Sequence, residues 1–334
     1  MSLKSITISA VIAAFLLSGC SHRADPAGGK RGSSGKTLEV LIIADNGITA
    51  KGTTTRTLVD SLLRCPQQGL MQMEPAFDVV YLPRSSYDNS DMFHAHRNIV
   101  LFDVNGANPD KVYFYRDREA SPQVSFEFAA RNRRSLDSLI SVHAEQMVDL
   151  IYQTEHRRIQ KAYRGTEGYK VEQQVRNAMG LNLTLSEEFR MAATYPNYCW
   201  VRKEAKDFSL HVLVYKEKYT NRNQFDSVSV LATVDSMMAR VPASVDSSYI
   251  GTERRLDFVV RRTTLAGCPA VETRGVWRSF GDFMGGPYVS YTIATPDNKE
   301  LLTLVGFVYS PRFPKRDYLM QVESICHSLS FDNQ

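Results

Sequence analysis

Apolar positions along the 334-residue chain follow two rhythms that succeed one another in blocks. Residues 39–44 (Glu-Val-Leu-Ile-Ile-Ala) are almost wholly apolar and run into Asp45-Asn46-Gly47, the pattern of a buried strand followed by a turn. Residues 54–64 place Leu58, Leu62 and Leu63 at helical spacing before Pro66. Strands are predicted at 77–82, 98–104 and 111–115. Residues 123–129 alternate Val124, Phe126 and Phe128 against Ser125 and Glu127, as a half-buried strand does. A long helix is predicted over 134–164, with Leu136, Leu139, Ile140, Met147, Leu150 and Ile151 as its apolar stripe and Gly165 ending it. His143 falls on that stripe and is expected to be a satisfied core histidine. These elements make one α/β-type unit, placed at 37–167.

Residues 168–180 read as a connector with some helix, and a second unit is placed at 181–334. Its strand candidates are 183–191, 199–203, 208–215, 256–265 and 270–277, the last two meeting at Ala266-Gly267. Asp226 opens a helix carrying Leu231, Val234, Met238 and Val241, which Pro242 stops. A hairpin of 288–294 and 300–309 crosses Pro296-Asp297-Asn298. The final helix, 315–329, faces Tyr318, Val322, Ile325 and Leu329 inward. The fold class expected is α+β or α/β, two packed units, each a mixed sheet covered by helices.

The first apolar run is of another kind. After Lys4, residues 6–17 carry no charge, yet they are too few for a stable membrane span, and they end in Leu17-Ser18-Gly19-Cys20. This is the layout of a secretory signal, placed at 1–19. Residues 21–36 are rich in Gly, Ser and charge without apolar periodicity, so 20–36 is expected to be a flexible tether. The Leu-Ser-Gly-Cys order resembles a bacterial lipobox. That resemblance implies a diacylglycerated Cys20 thiol, cleavage before it, acylation of the new amino group, and hence a membrane partner through the anchor. Ser21 stands where, in similar lipoproteins, Asp signals inner-membrane retention, and no acidic run follows. The resemblance therefore implies the outer membrane, facing the periplasm, with the cell surface as the alternative.

Hydrophobic residues at 43% and charged residues at 23% suit a folded domain with a sizeable core. A formal charge of +4 does not call for a nucleic-acid partner. Beyond Cys20, the cysteines Cys65, Cys199, Cys268 and Cys326 permit disulfides, while Cys199 and Cys326 fit equally as small core residues. The chain lacks Cys-x-x-Cys, Gly-x-Ser-x-Gly, His-Glu-x-x-His and the dinucleotide Gly-x-Gly-x-x-Gly, so no catalytic residue, metal site or cofactor is assigned.

Three constellations remain as ligand candidates. The glycine-rich loop 281–287 carries Asp282, Gly285 and Gly286, and glycines let backbone N–H groups approach an anion. Arg254, Arg255, Arg261, Arg262, Arg274 and Arg278 crowd neighbouring strands, where alternation predicts a basic stripe for an anionic glycan or lipid. His94-Ala95-His96, followed by Arg97, is the one close histidine pair; on a strand both rings would share a face, otherwise His96 and Arg97 serve the backbone of a loop.

The segments Gly275-Val276-Trp277, 281–291 from Gly281-Asp282 to Tyr291, Gly306-Phe307-Val308-Tyr309-Ser310-Pro311 and His96-Arg97-Asn98-Ile99 together resemble an uncharacterised family of envelope lipoproteins, domain of unknown function family 4837, across nearly the whole mature chain. The resemblance implies lipidation and an envelope location and brings no known activity. The second unit, with Gly267-x-Pro269-Ala270 and a closing helix, is similar to PsbP-like domains, which implies an α/β/α sandwich that works by binding and assembly. The function expected is a non-catalytic binding or assembly module with an envelope protein or an anionic glycan or lipid as partner. The alternatives are a hydrolase acting on glycan or peptide, or a carrier of an apolar ligand.

Overall fold

The computed structural model describes residues 30–331, except 46 and 244. Cys20 and the signal stretch lie outside the described residues. In the first unit, β1 (Glu39–Ala44), β2 (Asp78–Pro83), β3 (Asn98–Val104), β4 (Lys111–Arg116) and β5 (Val124–Ala130) form a sheet of order β2-β1-β3-β5-β4. All neighbours are parallel except β4, which runs antiparallel to β5 at the edge. Strand β1 is continuous in its hydrophobicity because both faces are covered. Val40 and Ile42 point to α1 (Thr54–Leu63) and α4 (Arg133–Arg164), while Leu41 and Ile43 join a smaller core beneath α2 (Arg84–Asp88) and α3 (Asp91–His94). The short helices α2 and α3 escape sequence reading because neither buries a residue and so neither needs an apolar stripe.

The second unit adds α5 (Tyr169–Met179), β6 (Arg190–Tyr195), β7 (Tyr198–Glu204), β8 (Ser209–Lys218), α6 (Ser227–Met238), β9 (Tyr249–Thr252), β10 (Val259–Leu265), β11 (Cys268–Phe280), β12 (Gly285–Ala294), β13 (Glu300–Tyr309) and α7 (Arg316–Cys326). Its antiparallel sheet runs β10-β11-β12-β13-β8-β7-β6, with β9 paired to the far end of β11. Helices α5 and α7 cover one face and α6 the other, each face over its own apolar core, so the layers are α/β/α, the arrangement that the likeness to PsbP-like domains implies. Gly306 on β13 lets α7 approach: a Cβ there would stand 2.9 Å from Val322.

Several expectations change. The connector at 168–180 is the full helix α5, with Val171, Val175 and Met179 buried and a left-handed cap at Gly180. The strand expected from 183 begins only at Arg190. Leu181, Leu183, Leu185 and Phe189 are buried in irregular chain whose backbone is served elsewhere, Thr184 N by Ser328 Oγ (2.7 Å) and Leu185 N by Glu172 Oε1 (2.8 Å). The tether does not extend to residue 36: Gly32 pairs with Ser121 and Ser34 with His96, and Arg158 Nε donates to Ser33 Oγ at 3.0 Å. His143 is partly exposed beside Gln146 instead of buried. Cys65, Cys199, Cys268 and Cys326 are all free thiols, Cys199 and Cys326 buried in the core.

The two units interlock. Met320 of α7 enters the core of the first unit, and Leu70, on the loop after α1, packs against the core of the second. Glu74 on that loop accepts Lys315 N (2.7 Å) and Arg316 N (2.9 Å), capping the first amides of α7 from outside its own unit. Arg316 returns a guanidinium bond to Asp78 Oδ2 at 2.8 Å.

Candidate functional site at the junction of the units

The residues singled out from the sequence divide among structural tasks. Asp282 sits at the tip joining β11 to β12, where its Oδ1 accepts Phe283 N at 2.7 Å and Gly281 takes a φ of +99°. Gly286 lies in β12, and a Cβ there would meet Val308 O at 2.1 Å. The same space lets Trp277 Nε1 donate to Val308 O at 3.0 Å. Gly285 is equally closed, with Trp277 O 2.9 Å from an added Cβ. These glycines serve strand approach and indole packing.

Of the expected basic stripe, all but the exposed Arg262 form ion pairs among the described residues. Arg254 pairs with Asp235, Arg255 and Arg278 with Glu253, Arg261 with Glu272, and Arg274 with Glu272 and Glu323. Arg274 is buried, at 4% exposure, where its guanidinium meets Glu323 of α7. The histidine pair also separates, since His94 ends α3 and His96 lies in the turn before β3, so no strand aligns them. His94 Nε2 lies 3.1 Å from Tyr87 O and His96 Nδ1 3.2 Å from Asn98 O. Arg97 donates to Glu155 Oε2 of α4 at 2.9 Å.

What the fold assembles in their place is a buried polar cluster between α4 and the second unit. Helix α4 supplies His156 and Gln160, α7 supplies Glu323 and Ser324 with His327 at its C-cap, β11 supplies Arg274 and β12 Tyr291. The spacings 156–160 and 323–327 put each pair on one helical face. Arg274 grips both oxygens of Glu323, with Nη1 to Oε2 at 3.1 Å. Tyr291 OH donates to Glu323 Oε1 at 3.0 Å, so its oxygen accepts His327 Nε2–H at 3.1 Å. Ser324 Oγ donates to Met320 O at 2.6 Å and accepts His156 Nδ1–H at 3.0 Å. Gln160 Nε2 donates to Ser324 O at 2.9 Å.

Burial, and then the charge His327 can carry, hold His156 well below the ordinary imidazole value; burial also lowers His327. For Arg274, burial opposes the charge, but Glu323, Tyr291 and Glu272 outweigh it and keep the guanidinium protonated. Burial likewise opposes the Glu323 carboxylate, and Arg274 overcomes it and depresses its pKa. Ligand atoms of His156, Glu323 and His327 all lie within 4.8 Å of one another. The two imidazoles are stacked, however, at 4.1 Å and 15°, so their in-plane lone pairs run side by side instead of converging, and Glu323 already carries a guanidinium. The arrangement suits a neutral-imidazole, charge-paired joint better than a cation cage. Sequence reading missed it because Glu323 and His327 interrupt a face counted as apolar, and His156 is unremarkable on a long polar helix.

One serine–histidine pair bears on the hydrolase alternative. Ser209 Oγ lies 2.8 Å from His211 Nε2. Trp200 Nε1 donates to His211 Nδ1 at 3.1 Å, which leaves the ring proton on Nε2. In that tautomer Nε2 cannot accept the serine proton, and burial pushes the ring down to about 3.

Two family models, both described as domains of unknown function, match the chain: DUF8532 over residues 33–164 and DUF4837 over 169–328. The likeness to family 4837 is thus confined to the second half, and the first half falls under a different model. No curated protein matches the chain. Among solved structures, LpqN of Mycobacterium tuberculosis, involved in cell envelope biogenesis, is similar at 12% identity and a TM-score of 0.28, over 45% of this chain and 83% of LpqN. The lipid transfer and protein localization domain of human StarD13 (DLC2) is similar at 12% identity and a TM-score of 0.21, over 48% of this chain and 95% of that one. Likenesses this slight carry no argument about function. No helix among the described residues is long and apolar enough to cross a membrane.

Proposed function

We propose that the protein is an envelope lipoprotein, anchored through Cys20 to the outer membrane and facing the periplasm, whose folded body is a non-catalytic binding or assembly module. The observation that carries this is the opening stretch: Lys4, the uncharged run 6–17, and Leu17-Ser18-Gly19-Cys20. The pairing of the arginines and carboxylates with one another supports the module reading, because it spends their charge on cohesion. Recognition then falls to exposed surface, with an envelope protein or an anionic glycan or lipid as partner.

The test is Cys20→Ala expressed in cells. The wild type should partition with membranes and carry the mass of its acyl groups, and the variant should lose both. Unchanged partition and mass would overturn the anchor. Protease added to intact cells should spare the wild type; rapid digestion would put it on the cell surface.

A further inference from the structure

The edge strand β4 reads Lys-Val-Tyr-Phe-Tyr-Arg and continues through Asp117 to Arg118. Its three consecutive rings are flanked by cations that lie over them: Lys111 Nζ 5.1 Å from the Tyr113 centroid, Arg116 Cζ 5.5 Å from Phe114, and Arg118 Cζ, whose guanidinium also pairs with Glu119 and Glu127, 4.6 Å from Tyr115. Lys111 and Arg116 are exposed, and neither has a carboxylate within salt-bridge distance among the described residues. Tyrosine and phenylalanine with arginine and lysine form the residue set that sits at a membrane–water interface, rings at headgroup level and cations on anionic headgroups.

The chain's own path brings this strand to the bilayer. Lys30 Nζ donates to the carbonyls of Asp117 and Arg118, directly after β4. Arg31 donates to Asp91 O at 3.1 Å, and its carbonyl accepts Ser121 N at 2.9 Å. The anchored segment is therefore fastened beside β4. Next to Asp91, Met92 stands 66% exposed. Ten residue steps separate Cys20 from Lys30, so the covalent reach between lipid and fastening point is at most about 35 Å.

We infer that the β4 edge, with Tyr113, Phe114 and Tyr115 flanked by Lys111, Arg116 and Arg118, is a second membrane contact that lays the first unit against an anionic lipid surface. This rests on the anchor reading above and adds the orientation of the folded body. Charged side chains on an edge strand also deter strand-to-strand association. Here Lys111 and Arg116 flank the edge, one on each face of the strand, and that edge is the part of the sheet beside the fastening point of the anchored segment. The source of negative charge is the phospholipid headgroup layer.

The experiment uses the mature chain carrying Cys20→Ser, so that binding reports the patch alone. Sedimentation is measured with vesicles of phosphatidylethanolamine and phosphatidylglycerol, and with vesicles of phosphatidylcholine. The protein should bind the anionic vesicles and leave the neutral ones. Lys111→Gln and Arg116→Gln should each weaken binding about five-fold and the pair about thirty-fold. Removing two exposed cations from the second unit, Lys206→Gln with Arg222→Gln, should change it less than two-fold. Equal binding by the Lys111/Arg116 double variant and its parent, or no binding to anionic vesicles, would overturn the contact. Loss of a crosslinked protein from cells with vesicle binding intact would also overturn it, in favour of a protein partner. The acyl mass of the wild type tests the anchor separately, so failure of the patch with an acylated Cys20 leaves the anchor standing.

Discussion

His156 of α4 and His327 at the end of α7 stack ring on ring at 4.1 Å, joining the two units through a pair of imidazoles that burial keeps neutral. Each ring hands its one proton to a hydroxyl, Ser324 or Tyr291, whose own proton is already committed. The second nitrogen of each ring stays unprotonated while the ring is neutral.

That arrangement predicts acid sensitivity. Folded-state values below the ordinary 6.5 mean that the unfolded chain takes up protons first as pH falls. Stability is then fully present above about pH 6.5 and is lost below it, by about 1.4 kcal/mol per pH unit for each buried imidazole. Urea unfolding between pH 8 and 5 measures this. His327→Phe should flatten the slope by about one proton's worth, whatever it does to stability at pH 8. An unchanged slope would mean that the His327 ring takes up a proton within the fold.

Arg274 faces Glu272 and Glu323 under α7, all three at 4% exposure or less. Arg274→Leu should destabilise by about 3–5 kcal/mol, since it leaves the buried Glu323 carboxylate without its cation, while Glu272 keeps Arg261. Adding Glu323→Gln should recover part of that loss, because a neutral amide tolerates the site better than an unpaired charge. Denaturant midpoints of the single and double variants form the check, and a double variant less stable than Arg274→Leu would refute the argument.

Gly306→Ala should cost about 1–3 kcal/mol by driving a methyl into Val322. Combining it with Val322→Ala should cost less than the sum of the two single changes, because the second opens the space that the first needs. Strict additivity in thermal unfolding would show that the helix shifts freely over β13.

Ile325 is fully buried in the second core, and Ile325→Ala should cost about 2–5 kcal/mol. Lys299→Ala, at an exposed turn, should cost little. Equal melting temperatures for the two variants would mean that α7 is peripheral.

Most strands and the long helices were legible because each has a face that must leave water, and that need writes itself as a period of two or of 3.6. The hairpin at Pro296-Asp297-Asn298 and the turn at Ala266-Gly267 were legible for a different reason: few residues accept the backbone there, with Ala266, Gly267 and Asn298 all at positive φ. Segments 181–189 and 30–36 misled because their burial follows from long-range partners, and no local period records a partner. The surroundings of the candidate ligand residues are illegible in the same way. Asp282, the paired glycines and the arginines are as conspicuous in sequence as a binding loop would be, but their roles depend on which backbone and which carboxylates lie opposite.

By itself, then, the chain's local chemistry determined where most of the elements lie and that two units follow one another, since each depends on neighbours in sequence. Only the tertiary structure decided which charges face one another. Arg274 looks like its fellow arginines until α7 brings Glu323 against it, and His156 meets His327 across 171 positions because α4 packs against α7. Electrostatics falls off with distance through space, and distance along the chain says almost nothing about it.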